Sequence, residues 1–166
     1  MSIKKRAFYF FCACCLLFSL VGCGKKEDTT LADGMFLMLS STVKGEAVET
    51  YEMYTLHAEI SDNGNVRIYA DDFNRWVSSD PCPEETVQLS ADTIQQIKDI
   101  IDEIDLYHMR RNIGSRDLKD GEYKELTLYT ASGENVSGGL NPSNREFLKL
   151  YDYVEDRFLW GYRIGV

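Results

Sequence analysis

The chain reads as an α+β domain: an antiparallel sheet of hairpins packed against two amphipathic helices. Three observations predict this. Apolar residues alternate over Tyr54, Leu56, Ala58 and Ile60 and again over Val66, Ile68 and Ala70, with Asp62-Asn63-Gly64 between the two runs. Ile94, Ile97, Ile101 and Ile104 recur at helical spacing and are joined by Ile100. Phe147, Leu150, Tyr151, Val154 and Phe158 form a second stripe of the same period. Strand side chains alternate between faces, whereas helical ones return to one face every three or four residues.

In chain order, Met35 to Val43 is an apolar run rich in strand formers, and Thr50 to Ile60 is the next strand. Asn63-Gly64 tolerates the positive φ of a tight hairpin, which returns the chain through Val66 to Ala70. A Pro81-Cys82-Pro83 loop leads to a short strand, Thr86 to Leu89. Ser90 can cap a helix from about Ala91 to Asp105, because its hydroxyl can accept from a free N–H of the first turn. A polar loop spans Tyr107 to Gly121. Tyr123 to Tyr129 alternates as a strand, Ser132-Gly133 turns it, and Asn135 to Gly138 returns. Asn141 followed by Pro142 predicts the cap and first residue of the last helix. Strands, a helix, a hairpin and a helix in this order give α+β.

Ahead of the domain, Lys4, Lys5 and Arg6 precede an uncharged, mostly apolar run from Ala7 to Gly24, which Lys25 and Lys26 close. That is the layout of a secretory signal. Leu20-Val21-Gly22-Cys23 at its end resembles the bacterial lipobox. The resemblance implies a diacylglyceryl group on the Cys23 sulfur and cleavage between Gly22 and Cys23. Residues 1–22 are then a signal peptide. Residues 23–34 are the lipidated Cys and a flexible tether of roughly 18 Å root-mean-square reach. Residues 35–166 are a single domain. An uncleaved anchor crossing the membrane, which takes roughly 18 or more apolar residues, is the other reading. Both place the domain outside the cytoplasm. Two acyl chains meet the two-signal requirement for lasting attachment, so the membrane is the first expected partner. The stretch from Glu85 to Phe158 is similar in pattern to small uncharacterised lipoproteins of gut-type Firmicutes. That likeness is topological and implies no functional residue.

Loss of residues 1–22 leaves 144 of 166, which suits one domain on a tether. Lys4, Lys5 and Arg6 leave with the signal, so the formal charge falls from −9 to −12. Such an acidic surface argues against nucleic acid, whose phosphates demand Lys and Arg, and against lying flat on anionic lipid. Cys12, Cys14 and Cys15 go with the signal and lipid consumes Cys23, leaving Cys82 alone. One thiol makes no intramolecular disulfide and no Cys-rich metal site. No cofactor or metal is expected.

Several constellations invite chemistry. Ser41-Thr42-Val43-Lys44 and Ser61-Asp62-Asn63 match two of the three motifs of penicillin-recognising enzymes. The third, K-T-G, is missing, and Ser41 falls in a predicted strand where that nucleophile belongs at a helix start. Cys82, His57 and His108 could pair a nucleophile with a base, but nothing adjacent activates the thiol and His57 falls on the polar side of its strand. Asp117, Asp120 and Glu122 around Gly121, and Asp71 with Asp72, are oxygen-rich, yet neither has the D-x-D-x-D-G spacing of a calcium loop. Arg110, Arg111 and Arg116 follow the first helix, where positive charge suits the helix dipole. With Tyr107 and His108 they form the best candidate for an anion or partner contact, through guanidinium forks.

The expected function is therefore a non-enzymatic binding or accessory module of the cell envelope, lipid-anchored and extracytoplasmic, with an envelope protein or polymer as partner. A hydrolase of envelope polymers using dispersed carboxylates is the alternative, since such pairs are set by the fold rather than by spacing. An inhibitor or decoy presenting an acidic face to a cationic target is the third class.

Overall fold

The computed structural model describes residues 29–44, 55–71, 84–115 and 121–159. Six strands form one antiparallel sheet: β1 (Met35–Lys44), β2 (Thr55–Ser61), β3 (Asn65–Asp71), β4 (Glu84–Gln88), β5 (Gly121–Thr130) and β6 (Gly133–Leu140). Their order is β4-β3-β2-β1-β5-β6, and the two helices are α1 (Ala91–Glu103) and α2 (Arg145–Phe158). The expected α+β class and hairpins are therefore present. β1 is central because it pairs with β2 on one side and β5 on the other.

Strand parity sorts the residues onto two faces. Leu37, Leu39, Leu56, Ala58, Ile60, Val66, Ile68, Leu126 and Leu128 share one face, and all are buried. The helices cover that face with Ile94, Ile97, Ile101, Phe147, Leu150, Tyr151 and Val154. A buried aliphatic or aromatic side chain contributes about 1.5–3 kcal/mol relative to exposure, so this one interface dominates stability. The helices run antiparallel: Lys149 pairs with Glu103, and Tyr153 donates to Gln96 at 2.7 Å. The Tyr151 hydroxyl reaches through to the Ser40 carbonyl oxygen at 3.2 Å.

Local chemistry accounts for the ends of the elements. Gly64 adopts φ 87°, and a Cβ there would lie 2.7 Å from the Leu89 carbonyl oxygen, so the turn admits only glycine. The Ser90 side chain accepts from the Thr93 N–H, as predicted for a cap. The cap of α2 is Asn144, not Asn141: its side chain accepts from the Phe147 N–H at 2.9 Å. Asn141 instead sits at φ 43° and clamps β5, its Oδ1 accepting from the Glu122 N–H while its own N–H donates to the Glu122 carbonyl. A bond to β5 outcompeted the expected capping role.

Two boundaries also move. The domain begins before Met35, since Leu31 bridges Thr130 and the Ala32 N–H donates to the Tyr129 carbonyl at 3.0 Å. The expected tether thus loses its last residues to the sheet. The predicted loop after α1 holds a short 3-10 helix, Leu106–His108, and then lies along β6, with Asn112 bridging Gly138. This covers one sheet edge. The other edge, β4, is five residues long with Glu84 and Glu85 exposed, a short charged edge that discourages further pairing.

Candidate functional site

The basic patch expected after α1 is divided by the fold. The Tyr107 hydroxyl donates to Asp102 at 3.0 Å, and burial together with that bond pushes its phenol up to about 12. His108 Nδ1 pairs with Asp105 at 2.7 Å. His108 and Arg110 come together on a cavity of about 320 Å³, with Ile104, Met109 and Ile113 as its apolar lining. Asp105 and Glu146 line the same cavity, so it offers both signs of charge and not a plain anion site. Arg111 lies apart, along β6, where its carbonyl accepts from the Gly138 N–H at 3.0 Å. Arg116 lies outside the described residues, as do Cys23, Cys82, Asp72, Asp117 and Asp120.

A second cluster joins α2 to the sheet. Lys124 Nζ lies 3.2 Å from Glu155, 3.4 Å from Glu122 and 3.6 Å from Asp152, and 4.5 Å from the Tyr151 ring centroid. Ser41 Oγ donates to Glu122 at 2.7 Å. Two carboxylates close together are what an envelope-polymer hydrolase needs, and Glu122 and Glu155 are that close. Here, however, the ammonium of Lys124 occupies the space between them, where a glycosidase would place sugar and water. The arrangement is a tie between elements. Among the described residues, no group of three or more His, Cys, Asp or Glu could hold a metal ion.

The face opposite the helices carries a different set. Parity places Met38, Ser40 and Thr42 there from β1, His57 and Glu59 from β2, and Arg67, Tyr69 and Asp71 from β3. β5 adds Tyr123, Glu125, Thr127 and Tyr129, and β6 adds Glu134 and Val136. Ser40 and Thr127 are its low points, 7% and 3% exposed, while Tyr69, Tyr123 and Tyr129 are partly exposed rings. Tyr69 stacks on His57 with centroids 4.9 Å apart and donates its hydroxyl to Glu59 at 2.8 Å. Burial, reinforced by that bond, pushes its phenol up to about 12. Tyr123 donates to Glu125 at 3.2 Å, and burial and then Glu125 raise its pKa. Tyr129 is raised by burial and then by Glu134.

Within this face, Ser40 Oγ and His57 Nδ1 share a hydrogen bond of 2.9 Å, and His57 Nε2 faces Asp71 at 3.2 Å. The residue types are those of a hydrolytic triad, which the primary structure does not advertise because β1 and β2 meet only in the sheet. The ring is reversed relative to the triads of serine hydrolases, where Nε2 faces the nucleophile. Moreover, β1 is laddered on both sides, so its backbone N–H groups are committed to β2 and β5 and offer no oxyanion hole. Among the described residues, the trio positions His57 and braces this face of the sheet. The chain matches no protein-family model and no curated protein.

Proposed function

We propose that the protein is a lipid-anchored, extracytoplasmic binding module that presents the uncovered face of its sheet to an envelope partner. The observation that carries this reading is the one-sided packing of the sheet. Both helices lie against one face, and the other displays partly exposed Tyr rings interleaved with carboxylates. Rings of this kind recur where surfaces are recognised, since a tyrosine offers large contact area with little rotamer freedom to lose. The address comes from the chain start: the basic residues, the apolar run and Leu20-Val21-Gly22-Cys23. Lipid on Cys23 supports a domain of net charge −12 held beside an anionic membrane without lying on it.

The test has two parts. The intact mass of the protein purified from its native membrane should correspond to a chain starting at Cys23 with a diacylglyceryl group. A chain starting at Met1 without lipid contradicts the anchor. Envelope extracts should yield proteins or polymers that the wild-type chain retains and the Tyr123→Ala/Tyr129→Ala variant loses. Equal retention by both contradicts the assignment of the face.

A further inference from the structure

The uncovered face is not neutral. Among its described side chains are five carboxylates, Glu59, Asp71, Glu84, Glu125 and Glu134, against one guanidinium, Arg67. Arg67 is already engaged. It lies 3.6 Å from Glu59 and 3.7 Å from Glu84, and its guanidinium sits 4.4 Å from the Tyr69 ring centroid. At the other end of the face Glu125 and Glu134 lie beside the rings of Tyr123 and Tyr129, two carboxylates against Arg111, whose charge reaches Tyr123. Arg67 over Tyr69, flanked by two carboxylates, shows within the molecule how this surface holds a cation.

Four residues of β5 point alternately with the strip: Tyr123, Glu125, Thr127 and Tyr129 share the face at every second position. At about 3.4 Å per residue they span roughly 20 Å. Thr127 and Ser40 are buried between the taller side chains, so the strip is a shallow trough with a small-residue floor. Such a trough admits an extended chain, and its charge selects a positive one.

We infer that the strip from Tyr123 to Tyr129, with Glu125 and Glu134, binds an extended lysine- or arginine-containing segment of a partner protein. This rests on the assignment of the open face as the binding surface. The rings take the aliphatic stems and the cations themselves, and Glu125 and Glu134 take the charge. Attraction of this kind speeds encounter and weakens with salt.

The experiment is a fluorescence-anisotropy titration of the detergent-solubilised full-length protein. The probes are labelled decapeptides alternating Lys with Ser, Glu with Ser, and Gly with Ser. The lysine peptide should bind, and the other two should not. Raising salt from about 50 to 300 mM should weaken binding at least fivefold. Glu125→Gln/Glu134→Gln should weaken it at least tenfold, and Tyr129→Ala similarly, whereas Tyr129→Phe should keep it. Asp99→Asn/Asp156→Asn makes the same charge change on the helices and should leave binding within twofold; circular dichroism of each variant checks the fold.

Equal loss from the face and helix variants would mean diffuse attraction to an acidic protein, and would overturn the inference. So would no binding of the lysine peptide, or Tyr129-dependent binding to isolated cell-wall polysaccharide without peptide binding. If the peptide fails while the envelope contrast between wild type and Tyr123→Ala/Tyr129→Ala holds, the chemistry of the partner is wrong and the face stands. If both fail, the face falls too.

Discussion

Lys124 is the residue on which the described charges of the domain converge. It is 15% exposed and its partner Glu155 6%, so neither is free to exchange its partners for water at low cost. Removing one member of a buried pair leaves the other uncompensated and costs about 3–5 kcal/mol, whereas replacing both with apolar groups is often tolerated. Lys124→Met should therefore lower unfolding stability by about 3 kcal/mol in urea. Lys124→Met/Glu155→Leu should recover part of that loss. The tyrosines give a pH dependence. Tyr69 and Tyr107 are held at about 12, against an ordinary value near 10 in the unfolded chain. A group bound to its proton more tightly when folded contributes stability that is complete below pH 10 and lost as pH rises through 12. Stability should thus fall between pH 10 and 12, and Tyr69→Phe should flatten the decline. Absorbance titration of the phenols should show a late-ionising fraction that unfolding abolishes.

At the scale of elements, the two asparagines before α2 separate roles that the primary structure blurs. Asn141-Pro142 reads as the start of the last helix, yet the cap is Asn144. The competition was decided by the β5 backbone, which takes Asn141. Asn144→Ala should cost about 1 kcal/mol through loss of the cap, read by the shift of the urea midpoint at constant slope. Much of the fold was legible because its signals are local. The isoleucine stripe marked α1 and its buried face, and Asn63-Gly64 marked the β2–β3 turn. The site was less legible because it is made by non-local pairing. Nothing near Ser40 announces His57, since their contact depends on the register of β1 against β2 across residues 45–54. The alternation of Tyr123, Glu125, Thr127 and Tyr129 was visible, but not which side the helices would leave uncovered. The arginines after α1 were visible as charges, whereas Asp102 and Asp105 claim Tyr107 and His108 only once the 3-10 helix forms.

At the scale of the molecule, both helices pack against one face of the sheet, and the proposed contact surface is the opposite one. On the proposed reading, an acidic domain would stand off anionic lipid, and attachment would rest on Cys23. Cys23→Ser should move the protein from the membrane fraction to the soluble fraction after cell breakage. The claim with the widest reach is that the uncovered face is the one that meets a partner. Site-specific photo-crosslinking in intact cells tests it most directly, with a photoreactive residue placed at position 129 on the open face or at position 156 on the exposed side of α2. Discrete high-mass adducts are expected from position 129, and none of the same species from position 156. The same adducts from both positions, or adducts from position 156 alone, would contradict it.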